Sequence, residues 1–445
     1  MVSAAEQLAA NLNFSVFSKA EELKKRIWFT LGALIVYRVG TYIPLPGVDS
    51  IAFTQAFQSQ AGGILGMFNM FAGGAVERMA IFALNIMPYI SASIIIQLMT
   101  TVSPHLEQLK KEGETGRKKI NQYTRYGTVF LAAIQAFGIA SLLQSQNIVL
   151  PQYAGWFFTF TTVITLVGGT IFLMWLGEQI TARGIGNGIS LIIFAGIIAE
   201  FPASIASILD LGRTGALSTA VILGLFVMAI GVVAFIVFME RAQRRLLVQY
   251  PKRQVGNRVS QGDTSHLPLK LNTAGVIPPI FASSLLLLPV TFAAATQGGP
   301  QWLIDVTAML GQGQPLFLVI YAALIIFFAF FYTAIVFNPK DTADNLKKYG
   351  GFIPGIRPGQ RTAEHIDHVL SRITVVGAGY LALVCILPEM LRSELGVANA
   401  LFGGTSLLIV VSVTMDTVAQ VQSHLLAHQY EGLIKKSKLR GAKRR

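Results

Sequence analysis

Few side chains in this sequence could hold a metal ion or move a proton. His424 and His428 lie four residues apart, which places two imidazoles on one face of a helix, where they could chelate a metal ion. No third ligand accompanies them, so a solvated helix end is the favoured interpretation. All the histidines fall in loops or at the end of an apolar segment: His105, His266, His365, His368, His424 and His428. We therefore expect no metal site.

The segment GIGNGIS at residues 184–190 contains the Gly-x-Gly pattern of some phosphate-binding loops. Such loops follow a β-strand, and the P-loop form also carries a lysine after its last glycine. Neither feature is present, so a tight turn leading into an apolar segment is favoured. Since no catalytic constellation is evident either, we expect that the chain is not an enzyme and uses no cofactor.

The elements that must position any functional residue are apolar helices. Apolar residues make up 53% of the chain and charged residues only 13%, whereas an ordinary soluble domain carries about 25% charged residues. A bilayer-spanning helix needs about 20 mostly apolar residues. Ten segments meet this need: 27–45, 79–100, 126–146, 155–178, 188–208, 215–239, 273–295, 315–337, 370–388 and 404–424. The composition predicts an all-α integral membrane protein with ten transmembrane helices.

The basic residues indicate how these spans are oriented. All but four of the 35 lysines and arginines fall in the N-terminal arm, in the C-terminal tail, or in loops that follow an even-numbered span. The exceptions are Arg38, Arg78, Arg213 and Arg392. The positive-inside rule then places both termini in the cytoplasm. One span more or fewer in the middle would scatter the charges over both sides, so the pattern supports ten spans.

The spans are expected to form two halves of opposite orientation. We assign residues 1–26 to a cytoplasmic amphipathic arm, 27–210 to the N-terminal half, 211–426 to the C-terminal half and 427–445 to a basic cytoplasmic tail. The C-terminal half carries large cytoplasmic loops at 241–271 and 339–369. A Gly-rich apolar stretch within 46–78 is too interrupted for a span and predicts a re-entrant segment, which is tolerated only inside protein or along a water-filled cavity.

Paired inverted halves are also typical of secondary transporters of small solutes. Ion-coupled carriers usually hold ionisable residues at the middle of the bilayer. These spans are nearly empty of them, since Glu178 and Glu240 lie at cytoplasmic ends and Asp416 lies in the cytoplasmic half of the last span. This counts against a small-solute transporter without excluding one.

Six stretches carry a more specific likeness. They read IMPYISASIIIQL at 86–98, KKEGETGRKKINQYTRYGT at 110–128, GEQITARGIGNGISL at 177–191, LPLKLNTAGVIPPIFASS at 267–284, GGFIPGIRPGQRTAEHID at 350–367 and GGTSLLIVVSVTMDTVAQVQ at 403–422. In this order and at these spans they closely resemble the SecY/Sec61-alpha family of protein-translocase channel subunits. The resemblance covers essentially the whole chain.

The resemblance implies an hourglass channel with an apolar waist and a plug. The waist residues would be Ile86, Ile90, Ile189, Ile193, Ile280 and Ile409. The Gly-rich segment at about 62–75 would be the plug, with Ile64, Leu65, Met67, Phe68, Met70 and Phe71 as its apolar side chains. Without the resemblance, ordinary packing of apolar side chains and an external loop helix remain the alternatives.

The resemblance also implies a lateral gate and a docking surface. Spans two and seven would form the gate, with a polar cluster of Ser91, Gln135 and Asn272; local helix–helix hydrogen bonding without a gating role is the alternative. Cytoplasmic partners would dock at Lys252, Arg253, Arg258, Arg357 and Arg361; charges that serve only topology are the alternative. Asn85 departs from the family pattern, which has glycine there, and it leaves the tightness of the seal open.

The function implied by the resemblance is passage of unfolded secretory polypeptides through the waist and sideways release of transmembrane segments into lipid. The implied partners are SecE and SecG, the motor ATPase SecA, the ribosome through its RNA, signal sequences and nascent or preprotein chains, and the lipid bilayer. The implied location is the inner (plasma) membrane, with many spans and both termini in the cytoplasm.

Overall fold

The computed structural model describes most of the chain, and every structural statement below concerns that part. The described residues are 21–60, 69, 71–146, 148–215, 218–251, 253–255, 258–260, 264–295, 315–395 and 404–442. Five of the six residues assigned to the plug, Ile64, Leu65, Met67, Phe68 and Met70, lie outside these ranges, as does Lys252.

A helix occupies each of the ten predicted apolar segments. The helices are α1 (Glu21–Gly40), α2 (Ser50–Gln60), α3 (Met87–Val102), α4 (Pro104–Lys111), α5 (Glu114–Ser145), α6 (Trp156–Arg183), α7 (Gly188–Arg213), α8 (Thr219–Arg241), α9 (Ile277–Ala295), α10 (Pro315–Val336), α11 (Pro339–Lys348), α12 (Gln360–Leu395) and α13 (Gly404–Ala442). Among the described residues, seven helices are long and apolar enough to cross a membrane, and two shorter apolar helices lie at Met87–Val102 and Ile277–Leu286. The predicted class of all-α membrane protein is confirmed.

The predicted second span begins later than its apolar pattern suggests. The pattern starts at residue 79, but residues 72–86 form successive turns and the helix α3 begins only at Met87. Two residues before the helix take left-handed backbone, Met79 with φ 46° and Asn85 with φ 47°. Hydrophobicity alone does not distinguish a buried turn from a helix, which explains the difference.

The loop at residues 241–271, which is predicted to be cytoplasmic, contains strands that its sequence pattern does not predict. Strand β1 (Gln243–Gln249) pairs antiparallel with β4 (Thr264–Lys270), and the short strands β2 (Arg253–Val255) and β3 (Arg258–Ser260) pair with each other. Leu246, Val248 and Leu269 are buried in one cluster with Ile353, Ile366 and Ile373. Leu246 and Val248 are two residues apart, so their side chains lie on the same face of the strand, and both are buried in this cluster.

The chain divides into two compact units. The first comprises Met1–Ala203, Val290–Leu303 and Val413–Arg445, and the second comprises Ser204–Pro289 and Ile304–Ser412. In the first unit α3 and α6 pack against α5; in the second, α10 and α11 pack against α12.

Small side chains allow the close packing of α5. A buried stripe runs along this helix at intervals of four residues: Thr124, Thr128, Ala132, Ala136 and Ala140. Residues four apart share one face of a helix, and small side chains let the backbones of neighbouring helices approach closely. Tyr126, Phe130 and Phe137 lie exposed elsewhere on α5, as expected for a surface that faces lipid.

Two adjacent glycines of α6 differ in what surrounds them. A methyl group on Gly169 would overlap the carbonyl oxygen of Ile81, whereas a methyl group on Gly168 would meet no atom within 4 Å. The turns that precede α3 therefore rest directly on the backbone of α6 at Gly169.

We predict that Gly169→Ala destabilises the protein and that Gly168→Ala does not. Overpacking of a filled site typically costs about 1–3 kcal/mol, while alanine in an open helical site gains helix propensity. Thermal unfolding of the two purified variants in detergent measures the difference. Equal unfolding midpoints would show that the protein accommodates a methyl group at Gly169 without loss of stability.

Candidate functional site

Four of the six predicted waist residues belong to helices of the first unit. Ile86 caps the start of α3 and is 1% exposed, and Ile90 lies one turn later, with its N–H donating to the Ile86 carbonyl over 3.1 Å. On α7, Ile193 is buried and Ile189 is half-buried. The Ile189 side chain lies beside Gly177 of α6, where its Cγ1 would be 3.2 Å from an added methyl group.

The other two predicted waist residues belong to the second unit. Ile280 lies in the first turn of α9, and its carbonyl accepts hydrogen bonds from the hydroxyls of Ser283 at 2.9 Å and Ser284 at 2.8 Å. Ile409 lies in α13 and is fully buried. Each unit is compact in itself, and the closed ring of six isoleucines stays a prediction.

Two residues of the predicted gate cluster lie on neighbouring helices of the first unit. Ser91 is on α3 and Gln135 is on α5, and both are buried. The Gln135 Oε1 atom has no hydrogen-bond partner among the described residues. A buried amide oxygen without a partner carries a desolvation penalty that a new donor would relieve.

The third residue of the gate cluster, Asn272, forms its contacts within the second unit. Its Nδ2 donates to Glu240 Oε1 at 2.6 Å and to the Gly275 carbonyl at 3.1 Å, while its Oδ1 accepts from the Gly275 N–H at 3.1 Å. Glu240 is the penultimate residue of α8. The sequence analysis noted its position at a cytoplasmic helix end but assigned it no role.

Phe71, the last of the apolar residues predicted for the plug, begins a segment whose backbone is held by side chains. Residues 71–86 are called here the post-plug segment. They overlap the C-terminal end of the predicted plug, at about 62–75, and lead from it to α3. The carbonyl of Phe71 accepts from Asn85 Nδ2 at 2.6 Å, that of Ala72 from the Tyr37 hydroxyl at 3.3 Å, and that of Gly73 from Arg38 at 2.6 Å. Three consecutive carbonyls are thus bound by three different side chains.

Asn85 has a defined place in this arrangement. Its left-handed φ of 47° suits glycine or asparagine, and its amide donates to the Phe71 carbonyl. Asparagine at this position therefore adds a bond across the post-plug segment that glycine could not make.

Charged side chains surround the same segment. Arg78 lies 3.8 Å from Glu200 of α7, and the guanidinium groups of Arg38 and Arg78 lie 4.8 and 4.3 Å from the centre of the Tyr42 ring. Gly73 packs on Gly196 of α7, whose Cα would be 2.9 Å from a methyl group on Gly73. Arg38 and Arg78 break the one-sided charge pattern, and that exception is the signal that could have singled them out.

The predicted docking residues lie in the second unit. Arg253 and Arg258 stand on the paired strands β2 and β3. Arg357 and Arg361 are exposed, and the carbonyl of Arg357 accepts from the Thr362 hydroxyl at 3.0 Å. Gln249 at the end of β1 exchanges two backbone hydrogen bonds of 2.9 Å with Phe352, so the two loops that are predicted to be cytoplasmic are joined. The sequence analysis treats these loops as separate.

Comparison with known proteins identifies the family. A family model described as SecY matches residues 80–418. The chain belongs to the SecY family. Proteins described as "Protein translocase subunit SecY" are similar over almost their whole length. The one from Vibrio cholerae serotype O1 is 54% identical, covering 96% of this chain and 97% of the relative, and the one from Escherichia coli strain K12 is 55% identical, covering 94% and 96%.

Solved structures confirm the fold expected of a SecY-family chain. One described as "The structure of a protein conducting channel" has a TM-score of 0.64 at 18% identity and covers 90% of this chain and 92% of its own. Another, described as "Sec61 in the Canine ribosome-channel complex from the endoplasmic reticulum", has a TM-score of 0.62 at 16% identity, with the same coverage. At these identities the likeness concerns the fold.

We predict that Asn85→Gly loosens the post-plug segment without disturbing its backbone path. Glycine adopts a φ of 47° freely, so the backbone can keep its path. The change removes the bond to the Phe71 carbonyl together with the buried Asn85 Oδ1, which has no partner among the described residues. Amide hydrogen exchange at Gly74 and Ala75, whose N–H groups donate to the carbonyls of Asn69 and Ala72, should become about fivefold faster, the effect of a net hydrogen-bond contribution near 1 kcal/mol.

Asn187→Gly is the matched control. It removes an exposed asparagine of the same unit whose Oδ1 accepts from the Ile189 N–H, and exchange at Gly74 and Ala75 should stay at the parent rate. Equal rates in the parent and in Asn85→Gly would contradict a tethering role for Asn85.

Proposed function

We propose that this chain is the protein-conducting channel subunit of a bacterial Sec translocase. It passes unfolded secretory polypeptides across the membrane and releases transmembrane segments sideways into lipid. The observation that carries the proposal is membership of the SecY family over residues 80–418, combined with near-complete coverage of bacterial translocase subunits. The apolar helices and the translocation-channel fold support it.

The proposed waist consists of Ile86, Ile90, Ile189, Ile193, Ile280 and Ile409. A moving polypeptide needs a seal that binds no side chain strongly, and branched aliphatic groups offer a deformable apolar collar. A hydrophobic constriction also excludes water and ions by dewetting. Ile86, Ile90 and Ile193 are buried in the first unit, and Ile280 and Ile409 in the second.

The proposed plug, at about 62–75, would close the external side of the waist. The contacts of the post-plug segment support a plug that is fixed at its C-terminal end, because the carbonyls of residues 71–73 are bound to Asn85, Tyr37 and Arg38. Displacement by a substrate then bends the chain before Phe71 and leaves the connection to α3 in place.

The proposed lateral gate lies between the second and seventh spans, α3 and α9. Its polar residues are Ser91, Gln135 and Asn272. An apolar segment arriving from the conduit competes with the contacts of these residues and shifts the balance between closed and open states. The unpartnered Gln135 Oε1 supports a site whose closed form is only modestly stable.

The channel is proposed to be passive and to act with partners. SecE and SecG are the companion subunits, and SecA or the ribosome supplies the driving force at the cytoplasmic loops. Exposed Arg357 and Arg361 suit phosphate and carboxylate groups. The chain would lie in the inner membrane with both termini in the cytoplasm, as its one-sided positive charge favours.

We predict that single cysteines at Ile86 or Ile280 crosslink to a cysteine in a stalled secretory chain. The background is Cys385→Ala, which removes the one native cysteine. Phe327→Cys is the control, because Phe327 is 55% exposed on α10 and is expected to face lipid. Disulfide formation on gels is the measurement. If no waist position crosslinks while the stalled chain is engaged, a small-solute transporter becomes the better explanation.

We also predict that Arg357→Glu weakens binding of SecA by about tenfold, in the range of a hot-spot charge at an interface. Lys340→Glu reverses a charge at an exposed site on α11 of the same unit and is the matched control. Binding to membranes that carry each variant, measured at two salt concentrations, checks the effect. Equal weakening by both variants would indicate general charge attraction instead of docking at Arg357.

A further inference from the structure

Asn272 is held so that its amide has no spare donor. An asparagine side chain has two N–H groups and one carbonyl oxygen. In this structure one N–H binds Glu240 at 2.6 Å, the other binds the Gly275 carbonyl, and the oxygen accepts from the Gly275 N–H. Only 5% of the residue is exposed. The orientation of the amide is therefore determined by groups of its own unit.

These bonds form a compact turn at the start of α9. Gly275 takes left-handed backbone with φ 63°, which brings its N–H and C=O back to the Asn272 amide. The Leu271 N–H donates to the Ala242 carbonyl at 2.9 Å. Residues 271–275, called here the gate turn, are thus tied to the end of α8 by one backbone bond and one side-chain bond.

A second helix limits the movement of the gate turn. The Leu271 carbonyl lies against Gly377 of α12, where it would be 2.6 Å from an added methyl group. The turn consequently fits closely against α12 on one side and is bonded to α8 on the other. Any displacement of the start of α9 relative to α8 must stretch the bond between Glu240 and Asn272 or deform the turn.

The chemistry of the pair favours a definite role for the carboxylate. A carboxylate at the end of a highly apolar helix is costly unless it is hydrogen-bonded. A hydrogen bond from an amide to an ionised oxygen is shorter and stronger than one between neutral groups, and 2.6 Å agrees with this. Glu240 therefore holds Asn272 more firmly than a neutral acceptor or water would.

We propose that Glu240 is a positioning residue of the lateral gate, acting through Asn272. This inference rests on the proposed function, because it assigns Glu240 to the gate of that channel. By holding the gate turn to α8, Glu240 restrains the start of α9 and raises the hydrophobicity that a segment needs before it enters lipid. The specificity for membrane segments then depends partly on a residue outside the two gate helices.

The test measures the insertion threshold in a series of segments that differ in leucine content, with the complete translocase. Glu240→Ala is expected to lower the threshold by about one leucine. Asn272→Ala also removes the bonds to Gly275 and is expected to lower the threshold at least as much. The double variant should lower it no further than Asn272→Ala alone, because the bond between the two side chains is then already absent. Glu240→Gln retains an acceptor oxygen but loses the charge, so its threshold should lie between that of Glu240→Ala and that of the parent.

Asp341→Ala is the matched control. Asp341 also accepts from an asparagine amide of the second unit, Asn338 Nδ2 at 2.8 Å, but at the start of α11. The insertion threshold of the Asp341→Ala variant should equal that of the parent. If Glu240→Ala does not accumulate, Glu240→Asp takes its place, because its shorter side chain cannot reach Asn272 as well and should also lower the threshold.

Hydrogen exchange gives a second readout that does not require transport. The amide of Gly275 should exchange faster in Glu240→Ala, whereas the amides of β1 and β4 should not. An unchanged threshold in both Glu240→Ala and Glu240→Asp, or a shift that adds to that of Asn272→Ala, would overturn the role of Glu240. Failure of the parent translocase to insert any segment would instead overturn the proposed function.

Discussion

Backbone polar groups that leave the helical path and are buried must find partners within the protein, because an unpaired buried N–H or C=O costs free energy. The described part of this chain meets that demand with side chains at three breaks. In the post-plug segment, three successive carbonyls are bound by Asn85, Tyr37 and Arg38. In the gate turn, the amide of Asn272 binds both backbone groups of Gly275.

The third break, between α6 and α7, follows the same rule. The N–H groups of Ile185, Gly186 and Gly188 donate to the side-chain oxygens of Thr30, Gln420 and Thr181, respectively. The donors come from one short stretch, while the acceptors come from α1, α13 and α6. Each break is therefore also a junction of helices, so the requirement to satisfy the backbone determines where helices of one unit are joined.

The sequence predicted the helices well because their apolar runs are long and nearly free of charge, and the family motifs added the expected functional positions. It could not predict the partners of polar residues. Asn85 stood out only as a departure from the family pattern. Its hydrogen bond depends on the fold, which places the Phe71 carbonyl next to the Asn85 amide. Glu240 drew attention by its position, but its contact with Asn272 spans a whole hairpin of strands. The strands β1 and β4 were not predicted because each has only seven residues and mixes polar with apolar side chains, so neither stands out as an apolar segment.

The backbone bridge between Gln249 and Phe352 has a mechanical consequence. Two short hydrogen bonds join the loop that follows α8 to the loop that precedes α12, and the strand β1 that carries Gln249 pairs along its whole length with β4, which ends at Lys270 beside the gate turn. If a partner docks at these loops as proposed, a force that it applies to either loop is shared by both. The paired strands β1 and β4 would then carry this force to the start of α9.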